Sequence, residues 1–313
     1  MRKLRIATRR SPLALWQAEW VQTQLGQLGV PTELVLLASD GDLHVQPIDG
    51  SQPVGLFTKR IQRAVLEEVA DLAVHSLKDL PTVNDPDLLL AAIPPREEVT
   101  DCLVTLAGVP LAELPIGASL GTGSRRRSAQ LLYHRPDLSI TPIRGNVQTR
   151  LQYVHSGALQ GVILARAGLI RLGLDRWASE RIPLEIMLPA PGQGALGIEV
   201  RSDDVASIEI VSKLNDPAAE ACVLAERAFL RHLQAGCLAP VAALATLQPS
   251  QLVLEGAVLS LDGTERLAIR REIPWDGITA DCDRTTTLGI QAAEEMLARG
   301  AGRLIADSRE HPT

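Results

Sequence analysis

Aromatic residues, lysine and clustered cysteines are all scarce in this chain of 313 residues, and each shortage removes a class of function. Aromatics make up 3% of it, too few for the stacked platforms on which single-stranded nucleic acid lies. The formal net charge is −6, which argues against a general nucleic-acid binder. No apolar run approaches the length that crosses a membrane. The four cysteines, Cys102, Cys222, Cys237 and Cys282, lack the close pairs of a zinc site or a redox motif, so no metal is expected. The amino terminus runs into an apolar strand, Leu4-Arg5-Ile6-Ala7, without the pattern of a signal peptide. A reduced, cytoplasmic chain with free thiols is the expectation. Low-complexity tracts and repeats at solenoid periods are missing too.

What the chain has is arginine. Only Lys3, Lys59, Lys78 and Lys213 are lysines among 31 basic residues. Between positions 121 and 151 there are six arginines and one acid, Asp137. Compositional bias explains few lysines; it does not explain arginines set beside glycines at helix starts. A guanidinium binds a carboxylate or phosphate through two hydrogen bonds, so a local cluster in an acidic protein points to a specific polyanion.

Strand and helix signals alternate through the first two-thirds. Residues 4–8 read as a strand, and Ser11-Pro12 opens a helix over 13–28, with Ser as N-cap. A strand at 34–37, a polar loop at 40–54 and a helix from Gly55 carrying Phe57, Ile61 and Val65 on one face follow. The strand 72–74 stops at His75-Ser76-Leu77-Lys78-Asp79, polar residues at the carboxyl end of a strand, where α/β sheets bind ligands. A second unit begins near Asp101, with strand 102–106, a glycine turn at 121–123 and a helix capped by Ser124. A strand ending at Ile143, a helix opening at Asn146, strand 161–164 and helix 167–172 complete it. Residues 188–194 read as a crossing, followed by strand 196–200. From Asp216 a helix to about Leu233, strands at 241–247, 252–261 and 266–272, and a helix at 285–298 read as a small α+β domain.

Three junctions repeat one design, strand end to helix start with arginine: Arg9-Arg10-Ser11-Pro12, Gly121-Thr122-Gly123-Ser124-Arg125-Arg126-Arg127 and Arg144-Gly145-Asn146, with Arg150 one turn on. Glycine lets backbone approach a ligand, and a helix start offers N–H groups to an anion. Arginine opposes the helix dipole there, which a bound anion would offset. Together the three predict a pocket for a ligand with several carboxylates. Asp79 is an acid without a sequence-local partner except Lys78, suited to stabilising a developing cation. His75 is read as a core or supporting residue rather than as a base. Cys237, between Gly236 and Pro240, sits at a predicted loop tip where a thiol can act as an attachment point; as a lone cysteine it is equally read as a small core residue. Cys102 and Cys222 are read as core.

Six segments, in order and spanning nearly the whole chain, resemble the porphobilinogen deaminase (hydroxymethylbilane synthase) family: 5–18, 73–81, 121–127, 144–151, 188–195 and 235–237. The resemblance implies an α/β fold of two periplasmic-binding-protein-like lobes plus a small C-terminal α+β domain. The expected boundaries are 1–98 with 194–213, 99–193, and 214–313. It implies a transferase of porphyrin biosynthesis that condenses four porphobilinogen molecules head to tail, with loss of ammonia, on a dipyrromethane primer, and releases hydroxymethylbilane with water. The primer would be held by a thioether to Cys237, with Lys78, Ser124, Arg126, Arg127, Arg144 and Gln193 around it. Arg9, Ser11, Gln17, Phe57, Arg144, Arg150, Ala165, Gly168 and Arg171 would bind substrate, and Asp79 would be catalytic. The product would pass to a uroporphyrinogen III synthase, and a monomer is expected. The chain departs from the family pattern in its lysine-free loop 42–54, in Arg125, in Arg166 and in Ala235-Gly236-Cys237-Leu238-Ala239-Pro240. The alternative reading is a non-catalytic binding protein for a polycarboxylate on the same fold.

Overall fold

A computed structural model describes residues 2–37, 58–83, 85–236, 239–275 and 282–310. The expected loop 40–54, the helix start at 55–57 with Phe57, and Cys237 lie outside the described residues. The chain divides into two compact units, Met1–Glu97 with Gly194–Glu220, and Glu98–Gln193 with Ala221–Thr313.

The first unit is built on β1 (Leu4–Arg9), β2 (Thr32–Leu37), β3 (Leu72–Ser76), β4 (Leu88–Ala92) and a late arrival, β10 (Leu196–Arg201). Their order is β2-β1-β3-β10-β4. The first three are parallel; β10 runs antiparallel to both β3 and β4. Alternate residues serve opposite faces. Ile6 packs with Val21 and Leu25 of α1 (Pro12–Gln27) in a core that also holds Val211 of α6 (Val205–Val211), and Ala7 packs with Ile61 and Val65 of α2 (Lys59–Leu66). With both faces covered, Leu72-Ala73-Val74 is an unbroken buried run, the pattern of a central parallel strand. Pro12 opens α1 as expected, but the Ser11 side chain makes no capping bond. Its main-chain carbonyl instead accepts the first helical hydrogen bond from Leu15 N at 2.9 Å.

The second unit contains β5 (Asp101–Thr105), β6 (Ser119–Gly121), α3 (Arg125–His134), β7 (Ser139–Thr141), α4 (Val147–His155), β8 (Gly161–Ala165), α5 (Arg166–Arg171) and β9 (Glu180–Arg181). The sheet order β7-β6-β8-β5-β9 repeats that of the first: three parallel strands, then an antiparallel strand, then an edge. The same unit holds an antiparallel meander of β11 (Val241–Gln248), β12 (Gln251–Leu259) and β13 (Arg266–Pro274), covered by α7 (Pro217–His232), α8 (Cys282–Ala298) and α9 (Ala301–Glu310). Asp216 caps α7, accepting from Ala219 N at 2.8 Å. Phe229 is fully buried at the centre of this core, and a Cβ at Gly256 would come within 2.7 Å of its ring.

Helix α3 is fastened to that meander along its length. Arg125 Nη1 donates to the Ser308 carbonyl of α9 at 2.5 Å. Ala129 packs with Ala242, Leu244, Ala257 and Leu259. At its far end Gly263, at φ +73, lies so close that a Cβ would meet Tyr133 N at 2.6 Å.

Candidate functional site

In the first unit β1 and β3 are parallel neighbours, so their carboxyl ends share one edge. Arg9 ends β1, Ser76 ends β3, and a 3₁₀ turn over Leu77–Asp79 follows. Leu77 anchors the turn. It is buried, its N–H donates to Ala195 O at 3.0 Å, and its side chain occupies the space that a Cβ at Gly197 would need. Lys78 is left half-buried and Asp79 exposed. A small pocket is lined by Arg9, Ala14, Gln17, Thr58, Ile61, Val74, His75, Ser76 and Asp79. Gln17 Nε2 donates to Ser76 Oγ at 2.7 Å, which joins α1 to the end of β3. The Asp79 carboxylate makes no hydrogen bond or ion pair among the described residues. It is thus neither a buried acid nor a structural partner of Lys78. Behind it, His75 Nε2 lies 3.0 Å from Glu199 Oε2, out of line for a hydrogen bond, and Gln62 Nε2 donates to both oxygens of Glu199 at 3.2 and 3.0 Å. His75 and Glu199 are almost completely buried.

The second unit carries the arginines. Ser124 caps α3 as expected, its hydroxyl accepting from Arg127 N at 3.4 Å. Gly123 is required there, because a Cβ would stand 2.6 Å from the Ile143 carbonyl oxygen. Arg126 and Arg127 are buried, at 4% and 5% exposure, and meet a carboxylate the sequence had not pointed to. Asp101, fully buried at the start of β5, accepts from Arg126 Nη2 at 2.8 Å and from Arg127 Nη2 at 2.7 Å. The other terminal nitrogens donate to main-chain carbonyls, Arg126 to Leu188 at 2.5 Å and Arg127 to Ile163 at 3.0 Å. Gln193 Nε2 donates to Val99 O at 2.7 Å and to Asp101 Oδ1 at 2.9 Å. Asp101 thus supplies one anion to the two arginines from within the protein. Asp137, the one acid near in sequence, is taken by Arg135 at 2.7 Å. Burial pulls the Arg126 guanidinium below its ordinary range; Asp101 opposes the shift and Arg127 adds to it.

The third junction is built on backbone. Gly145 sits at φ +100, and a Cβ there would stand 2.6 Å from Thr149 Cγ2. Asn146 caps α4, accepting from Thr149 N at 2.8 Å, and Arg150 Nε donates to Gly145 O at 2.9 Å. Arg144 is half-buried, and burial pulls its guanidinium down. Ala165 precedes α5, Gly168 is buried within it, and Arg171, 8% exposed, ends it. Arg166 is engaged by Asp175 at 3.1 and 3.3 Å.

The first unit thus collects Arg9, Ser11, Gln17, Lys78 and Asp79. The second collects Ser124, Arg126, Arg127 and Gln193 around Asp101, with Arg144 and Arg150 at their own junction. Asp101 and the Glu199–His75 pair escaped the sequence reading, because each partner comes from a distant strand.

The donor set fits a polycarboxylate cofactor. The Nε atoms of Arg126 and Arg127 are buried with no hydrogen-bond partner in the structure described. A carboxylate taking that edge would satisfy them. Among the described residues no group of three or more His, Cys, Asp or Glu could hold a metal ion, and no helix is long and apolar enough to cross a membrane.

Comparison with known proteins gives two family matches: porphobilinogen deaminase, dipyromethane cofactor binding domain, over residues 4–209, and porphobilinogen deaminase, C-terminal domain, over residues 220–298. A porphobilinogen deaminase of Syntrophotalea carbinolica is 44% identical over 99% of this chain and 97% of its own length. One from Moorella thermoacetica is 44% identical over 98% and 97%, and one from Nocardia farcinica 43% over 97% and 88%. Among solved structures, lipoprotein Tp32 of Treponema pallidum matches at a TM-score of 0.45, with 10% identity over 68% of this chain and 90% of that one. A periplasmic substrate-binding protein of Coxiella burnetii matches at 0.43, with 14% identity over 69% and 93%.

Proposed function

This chain belongs to the porphobilinogen deaminase family, and we propose that Asp79 carries its chemistry and Cys237 its cofactor. It is a hydroxymethylbilane synthase, a transferase with a dipyrromethane cofactor, and the non-catalytic alternative falls. The observation that carries the assignment of Asp79 is its exposed carboxylate, unpartnered among the described residues, in a pocket that also holds Arg9 and Gln17.

Each porphobilinogen loses ammonia and gains positive charge before the carbon–carbon bond forms. An arginine that binds its carboxylates, such as Arg9, repels that charge, and the Asp79 carboxylate in the same pocket offsets the repulsion. Asp79 can hold the pyrrole N–H as the charge develops. Arg9, Ser11, Gln17 and Phe57 bind substrate. Arg144, Arg150 and Arg171 bind the carboxylates of substrate, with Ala165 and Gly168 leaving room. Lys78, Ser124, Arg126, Arg127, Arg144 and Gln193 hold or support the cofactor. When bound, the dipyrromethane supplies the carbon nucleophile to which substrate is joined.

The same reading divides the chain into 1–98 with 194–213, 99–193 and 214–313, and makes it a cytoplasmic monomer whose product passes to a uroporphyrinogen III synthase. The test is mass. Purified protein is expected to exceed its sequence mass by one dipyrromethane, with the adduct on the peptide containing Cys237. Cys237→Ser should have the bare mass and almost no activity. An adduct on Cys102, Cys222 or Cys282 refutes the assignment.

A further inference from the structure

The two arginines that the proposed function gives to the cofactor are joined by one buried carboxylate, and nothing in that function uses it. Asp101 is fully buried, and each of its oxygens takes one arginine: Oδ2 from Arg126 at 2.8 Å and Oδ1 from Arg127 at 2.7 Å. Oδ1 takes Gln193 Nε2 as well, at 2.9 Å. The remaining terminal nitrogens are tied to the carbonyls of Leu188 and Ile163. Each guanidinium is therefore fixed by two of its three nitrogens, and the nitrogen left over, Nε, is buried without a partner among the described residues. Two positive charges against one negative leave this cluster one charge in excess.

We propose that Asp101 is a positioning residue for cofactor loading: it holds the forks of Arg126 and Arg127 in advance, so that their unmatched edges and net positive charge receive the carboxylates of the incoming dipyrromethane. The inference rests on the reading that these arginines face the cofactor. Without the Asp101 charge, two like charges share a buried site and repel. Without its geometry, each fork swings about the one carbonyl it retains. Fixed donors bind better than donors that must first be ordered. Asp101 thus does its work before turnover begins, and its effect falls on how fast the protein acquires its cofactor.

Loading can be watched directly. Protein made in cells unable to supply porphobilinogen is given that compound, and the adduct is followed by intact mass. If wild-type protein gains no dipyrromethane, the proposed function fails, whatever Asp101 does. If wild type loads, Asp101→Asn should load at least about tenfold more slowly, a loss of about 1.4 kcal/mol. Asp101→Glu, which restores the charge one methylene away, should fall between the two. Phe229→Leu, which weakens the core away from the arginines, should load at the wild-type rate despite a lower melting temperature. That control separates positioning from stability. The proposal is overturned by wild-type loading in Asp101→Asn, by equal slowing in Phe229→Leu, or by failure of both Asp101 variants to fold.

Discussion

The arginine cluster of the second unit and the Asp79 pocket of the first handle charge in opposite ways. Around Asp101 every terminal nitrogen of Arg126 and Arg127 has a protein partner, and the two residues are at most 5% exposed. Around Asp79 the carboxylate is exposed and unpartnered among the described residues, and the turn beneath it is held by the apolar anchor Leu77. On the proposed function, that difference separates two tasks. A group that holds a permanent anion can be built into the fold, where losing it costs stability. A group that must answer a charge present only during reaction is left outside the network, and losing it costs rate.

The comparison breaks most sharply at Arg126. Arg126→Leu strips Asp101 Oδ2 of its arginine donor and leaves a buried charged oxygen unsatisfied, which should lower stability by at least about 3 kcal/mol, read as a shift of the urea midpoint. A variant as stable as wild type would mean the cluster is not structural. Asp79→Asn should do the reverse. Its barrier should rise by about 3–4 kcal/mol, a factor of about 10²–10³ in single-turnover rate, with the midpoint unmoved. A wild-type rate would return Asp79 to the background. The smallest effect sharpens the comparison through Cys102, next to Asp101 in β5. Burial, then the charge of Asp101, pushes its thiol up to about 12. Native protein at neutral pH should therefore alkylate at the exposed Cys282 and not at Cys102. A raised native value means the folded state keeps its proton longer than the unfolded one. Its contribution to stability is whole below the ordinary thiol range and fades as pH climbs from about 9 to about 12. A Cys102→Ala variant whose stability falls as steeply over that window as wild type would show that the thiol has no part in it.

Local grammar was readable. Ser124, Asn146 and Asp216 cap the helices they were expected to cap, and Pro12 opens α1. β1, β2, β3, β5, β8, β10 and the meander fall where the strand signals placed them, whereas β4 and β6 were not read as strands. Contacts made across long separations were not readable. Asp101 stands 25 and 26 residues from its arginines, and Glu199 reaches Gln62 across 137. Short elements also escaped. β9 has two residues and no period to detect. α9 follows Gly300 and contains Gly302, which read as the end of a helix rather than the start of another. The exposure of Asp79 was not readable either, because it depends on the turn that Leu77 anchors.

The two α/β sheets also differ in when they can be finished. In the second, the antiparallel strand β5 is made first and waits for its partners. In the first, β10 joins β3 to β4 and is made last, at residues 196–201. A nascent chain that has emerged through β3 must still add more than a hundred residues, about 6–25 s of synthesis at ordinary rates. Through that interval the edge of β3 that bears His75 and Ser76 stays open to other strands. The Asp79 pocket thus lies on the part of its sheet that is last to gain a neighbour, and slow or stalled synthesis should expose it to misassembly more than the rest of that sheet.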